Sequence, residues 1–145
     1  MFHERSATDA WVPRALAVLR IVTAYLFLQH GSAKLLGVPS VAAFDHVALL
    51  SLTGVAGILE LVGGAMLIVG WWVRPVAFVL CGQMAVAYFI AHASPATVLT
   101  PLLNRGEGAV LYCFIFLFLA VAGGGSWTID SLRRSRASRG TFANA

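Results

Sequence analysis

The stretch Gly54-Val-Ala-Gly-Ile-Leu-Glu-Leu-Val-Gly-Gly-Ala-Met-Leu-Ile-Val-Gly-Trp-Trp72 decides the fold. It is apolar over the thickness of a bilayer except for one carboxylate, Glu60. A hydrocarbon core of roughly 30 Å takes roughly 20 helical residues. An acid at that depth costs on the order of 3 kcal/mol, so it needs a partner, a proton or a job. The glycines beside it let a second backbone come close. The question that follows is what Glu60 faces.

The rest of the chain agrees with a membrane reading. Of 145 residues, 59% are apolar and 11% charged. Soluble domains run at about 45–50% and about 25%, so an ordinary water-facing fold is excluded. The formal charge of +4 is no nucleic-acid signature. The basic residues stand at the ends of apolar runs and in a tail, where anionic headgroups lie. The acidic residues Glu4 and Asp9 beside Arg5 argue against a cleavable secretory leader. Cys81 and Cys113 both fall inside apolar runs, without CxxC or zinc spacing. The depths read for their spans place them toward opposite leaflets, too far apart for a disulfide.

Outward from Glu60, three further spans emerge. The first is 14–36, with Pro13 in its opening turn and Gly37 with Pro39 ending it. The second is 53–72. Arg74-Pro75 then restarts the chain, and the third span is 75–93. Asn104 with Glu107 reads as a capping box opening the fourth, 108–122, which Gly123-Gly124-Gly125 stops. Between the first two spans, residues 40–52 set Val41, Phe44, Val47 and Ala48 against Asp45 and His46. That pattern predicts a short amphipathic surface helix. The expected fold is all-α: an up-down bundle of four membrane helices (14–125), with a polar arm (1–13) and a basic tail (126–145). Arg5, Arg14, Arg74 and the tail arginines Arg133, Arg134, Arg136 and Arg139 share one side with Trp11, Trp71, Trp72 and Trp127. The positive-inside rule makes that side cytoplasmic, so both termini are expected on the cytoplasmic face of a bacterial inner membrane.

Counting depth from the outer side gathers the polar residues. Lys34 ends the first span, and His30 lies one turn deeper on the same face. Glu60 sits deeper in the second span; His92 ends the third and Glu107 opens the fourth. Lipid solvates none of them, so they should turn inward and form a polar pocket floored by Glu60. The plainer readings are an ion pair or hydrogen bonds for Glu60, a helix–helix hydrogen bond for His30 and snorkelling for Lys34. For His92 the plainer reading is an interfacial position, and for Glu107 a capping role. Gln83, half a turn out of phase with His92, is expected to bond a neighbouring helix instead. Arg20 is read as snorkelling inward or balancing Glu60. Metal spacing of the Glu-x-x-His kind is missing, so no metal site is assigned.

These same residues resemble the DoxX family of small four-helix membrane proteins, from about Leu16 to Asp130. The resemblance rests on Phe27-Leu-Gln-His-Gly-Ser-Ala-Lys-Leu35 and on Gly57-Ile-Leu-Glu-Leu-Val-Gly-Gly64 with Gly70 and Arg74. His92, Asn104-Arg-Gly-Glu107 and Gly123-Gly-Gly-Ser-Trp-Thr-Ile-Asp130 complete it. The segment from Asp45 to Thr53 departs from the glycine–proline loop expected there. The resemblance implies a membrane protein in redox or oxidative-stress settings. The related DoxD branch is a subunit of a thiosulfate–quinone oxidoreductase. Other members are implicated in resistance to catechols and quinones, or in assembling partner proteins.

The expected function is therefore redox-linked binding of a small quinone-like, catechol-like or sulfur-containing molecule in the outer pocket. Glu60 and His30 would be the catalytic proton carriers; Lys34, His92 and Glu107 would bind the substrate. No cofactor is encoded, and quinone is the candidate redox partner. If the chain is enzymatic, it is an oxidoreductase subunit acting with quinone. Its partners would be lipid, a cytoplasmic or membrane redox protein, or a second copy of itself, with nucleic acid excluded. The alternative is a non-catalytic membrane subunit that assembles a partner oxidoreductase.

Overall fold

The computed structural model describes residues 7–133. Met1 to Ser6 and Arg134 to Ala145 lie outside the described residues. They include Glu4, Arg5 and the tail arginines 134, 136 and 139. Among the described residues every regular element is helical. Three helices are long and apolar enough to cross a membrane: 10–36, 52–69 and 73–92.

Helix α1 (Ala7–Leu36) begins before Pro13 and carries it inside. The helix therefore starts nearly two turns before the opening turn expected at Pro13. A proline near a helix start removes few hydrogen bonds. The Pro13 carbonyl also accepts from Ser126 N–H at 2.9 Å. Helix α2 (Leu52–Val69) starts where Ser51 Oγ accepts from Gly54 N–H at 3.1 Å, an N-cap. It stops at Gly70, whose φ of 72° and whose closeness to Thr128, 2.7 Å from where a Cβ would stand, both favour glycine. Helix α3 (Val73–Ala87) runs on through one π turn, Tyr88–His92. Helix α4 (Pro101–Asn104) is one turn, and α5 (Glu107–Ala122) is apolar but only 16 residues long.

Two local expectations fail. Residues 40–52 form no amphipathic helix; a single 3-10 turn, Ala42–Phe44, is all that appears before α2. The apolar residues there have no continuous face to cover, and Leu49 and Leu50 stay exposed. The Asn104 capping box is also absent. Gly106 holds the N-cap position of α5 and no side chain caps it. Asn104 Oδ1 accepts from Gly106 N–H at 2.8 Å, while its amide donates to Thr97 O at 3.0 Å and Tyr88 Oη at 3.1 Å. The residue thus ties the α3–α5 loop together.

Helix α1 packs chiefly on α2, and α3 on α5; α2 joins the two pairs, and α1 barely meets α5. Gly31 sets the first contact. A Cβ there would lie 2.5 Å from Leu61 N and 2.8 Å from Gly57 O, so only glycine lets the backbones meet. Phe27, Leu67, Leu80, Phe116 and Leu119 fill the centre. Phe78, Phe89, Phe114 and Val121 face outward, as a bilayer requires.

Arg20 closes the end where α2 stops and α3 begins. It is fully buried. Its guanidinium donates to Leu67 O, to Ile68 O at 2.8 Å, to Gly124 O at 3.0 Å and to Trp127 O at 2.9 Å. It neither snorkels nor meets Glu60. It satisfies carbonyls that the end of α2 and the glycine turn leave open. Asp130 accepts from Trp72 N–H at 3.1 Å and Val73 N–H at 3.2 Å, which caps α3 from the chain's far end. Arg74 donates to Val121 O at 2.7 Å at the end of α5.

Candidate functional site

Glu60 lies mid-way along α2 and is buried, with 2% of its surface exposed. The depth argument required a partner, and Lys34 supplies it. Its ammonium donates to both carboxylate oxygens, at 2.6 and 2.7 Å. Lys34 reaches Glu60 because Gly31, one turn earlier, brings α1 against Gly57 and Leu61. The aromatic ring of Phe44 lies 5.5 Å from the Lys34 ammonium. The 3-10 turn after α1 therefore covers the pair on its open side, where a cation–π contact holds it.

A third group enters from α3. Gln83 Nε2 donates to Glu60 Oε1 at 3.1 Å and to Ala56 O at 3.3 Å. Its amide oxygen is buried and, among the described residues, meets no donor. The amide cannot profitably turn round, because its oxygen would then face a carboxylate and a carbonyl. A buried acceptor without a donor is costly. The cluster therefore has room in its bonding for one hydroxyl or ammonium hydrogen from outside the chain.

Aromatic rings complete the surroundings. His30 meets Tyr112 edge-on, with ring centroids 6.1 Å apart. Tyr112 in turn packs on Phe27 and Phe116 at 5.2 and 5.9 Å. His30 itself is largely exposed on the α1 surface.

The other expected residues stand apart from this cluster. His92 Nδ1 lies 3.2 Å from Asn104 O, and its ring stacks on Tyr88. Glu107 opens α5 and is exposed. Both belong to the same end of the molecule as Lys34 but not to the group around Glu60. Gln83 bonds a neighbouring helix, as expected, and that helix is α2, through Ala56 O and Glu60 itself. It is indeed turned away from His92, but Glu60 lies on its side, and His92 faces the loop. No group of three or more metal-ligating side chains occurs among the described residues.

The cysteines correct the depth count. Cys81 and Cys113 sulfurs lie 3.6 Å apart, across the α3–α5 contact. The two helices run antiparallel, so each must be counted from the end they share. An open cavity of about 1470 Å³ lies at the opposite end from Glu60. Leu16, Leu19, Arg74, Phe118 and Asp130 line it, in the gap that α1 and α5 leave between them.

The family model described as DoxX matches residues 15–93. A protein of Haemophilus influenzae, described as an uncharacterized protein, is 40% identical over 125 residues. The match takes in 85% of this chain and 93% of that relative. No solved structure matches the chain.

Proposed function

The chain belongs to the DoxX family, and from that premise we propose that it is a four-span membrane protein binding a small hydroxylated aromatic molecule beside Glu60. The fourth span is α5, whose 16 residues reach about 24 Å at about 1.5 Å per residue. Local thinning of the bilayer and the flanking glycines accommodate the shortfall. The termini face the cytoplasm of a bacterial inner membrane, and the Glu60 cluster opens toward the outer side.

The observation that carries the reading is the buried, donor-less oxygen of Gln83 next to an acid. A quinol or catechol fits that chemistry. One hydroxyl donates to Gln83 Oε1, and Glu60 takes a hydroxyl proton through the oxygen that Lys34 releases. The Lys34 ammonium then stabilises the oxyanion, and His30 with Tyr112 flanks the ring. His92 and Glu107 stand at the entrance rather than the floor. The electrons of any redox step come from the ligand or from a partner protein. Thiosulfate is the sulfur-containing candidate, and its charge would have to be met by Lys34.

A second reading has its own support. Lys34 answers both oxygens of Glu60 at short range, which is also the geometry of a helix lock. Under it the chain is a non-catalytic subunit that assembles a partner oxidoreductase. Thermal unfolding of purified wild type and Glu60→Gln with hydroquinone, catechol and thiosulfate separates the two. Stabilisation of wild type alone, by one of the three, supports the binding site. Equal midpoints with and without every ligand would overturn it and leave the lock.

A further inference from the structure

Helices α3 and α5 share the end at Val73 and Ala122. From that end Cys81 lies roughly 12 Å along its helix and Cys113 roughly 13.5 Å, at about 1.5 Å per residue. The two sulfurs therefore meet at one depth, 3.6 Å apart, with one thiol hydrogen-bonded to the other. Neither is sealed in the core. Both are partly buried and pack against the edge of the core, so each keeps some exposed surface. They are also the whole cysteine complement of the chain. Small apolar packing explains one buried cysteine well. It does not explain two that are aimed at each other across a helix interface.

We infer that Cys81 and Cys113 form a reversible dithiol–disulfide couple within the membrane, oxidised by a lipid-soluble acceptor of the benzoquinone class. Two S–H bonds break and one S–S bond forms. The two electrons and two protons pass to the quinone, which leaves as the hydroquinone. To bond, the sulfurs close from contact to a distance of about 2.05 Å. The bond staples α3 to α5 two residues from Gln83 and one from Tyr112, so it fixes the wall of the Glu60 cluster. The couple stands on the sulfur geometry alone and does not depend on a ligand at Glu60.

The test uses the full chain in lipid nanodiscs, reduced with dithiothreitol and freed of it. Duroquinone is the oxidant, because its four methyl groups leave no ring position for thiol addition. Alkylation with N-ethylmaleimide after denaturation, read by intact mass, counts free thiols. The expected result is a fall from two thiols per chain to none, with one hydroquinone formed per chain. The protein should stay monomeric on a non-reducing gel, and dithiothreitol should restore both thiols. Cys81→Ser and Cys113→Ser should each keep their single thiol under the same treatment. Two thiols still alkylated in wild type after duroquinone, or disulfides found only between chains, would overturn the proposal.

Discussion

Lys34 and Glu60 are unequal members of one pair, and the inequality is measurable. Glu60 is nearly sealed, whereas Lys34 keeps 13% of its side chain exposed and has a flexible stem. Lys34→Met strands a carboxylate that has only Gln83 left, and such a buried charge costs roughly 3–5 kcal/mol. Glu60→Gln strands an ammonium that can withdraw toward the surface, so its loss should be smaller. Chemical denaturation of the two variants checks the order. The double variant should be more stable than Lys34→Met alone; a double variant less stable than either single would show that the two do not act as a pair. This pair was legible in the sequence, because apolar surroundings make a lone acid conspicuous and depth names its partner. The helix-to-helix bond of Gln83 was legible too, but not that Glu60 would accept it, because an uncharged amide does not name its partner. His92 stands at the end of the π turn Tyr88–His92, where it meets Tyr88 and the Asn104 carbonyl rather than Glu60, and no residue of that turn announces it.

Elements are held by small residues and backbone bonds more than by large side chains. Gly31→Val should push α1 off α2, because the nearest obstacles to a side chain are main-chain atoms of Gly57 and Leu61 that cannot rotate away. A loss of about 1–3 kcal/mol follows from such overpacking. A wild-type unfolding midpoint in that variant would mean the helices separate freely. Arg20 acts on a different scale of bonding. Arg20→Lys keeps the charge but loses the planar fork that reaches α2 and the glycine turn together. It should unfold well below wild type in detergent, and Asp130→Ala should follow with about 0.5–2 kcal/mol for the lost cap of α3. The long helices were readable from apolar length, and the turn at Gly123–Gly125 from composition. The role of Arg20 was not, since its acceptors are carbonyls that any residue could supply. The segment 40–52 read as a helix because its residue types alternate suitably, yet Pro39 and the missing packing partner leave it as turns.

At the scale of the whole molecule the two ends differ in kind, and the difference sets an orientation. One end gathers Arg14, Arg74 and Arg133 at the surface, with Trp11, Trp71, Trp72 and Trp127 exposed beside them. Arg14 lies over Trp11 and Arg133 over Trp71, as cations and rings do where both meet headgroups. The other end offers Arg105 as its exposed basic residue, since Lys34 is spent on Glu60. By the positive-inside rule this bias is the basis for the proposed orientation, with the richer side in the cytoplasm. In the proposed orientation Cys81 and then Gln83 of the Glu60 cluster follow along α3 toward the outer surface. A fluorescent protein fused after Ala145 should therefore mature, and alkaline phosphatase fused there should stay inactive. Phosphatase inserted in the loop at Ser94–Thr100 should be active. The reverse pattern would turn the protein over, place the Glu60 cluster toward the cytoplasm, and direct any proton taken from a ligand to the other compartment.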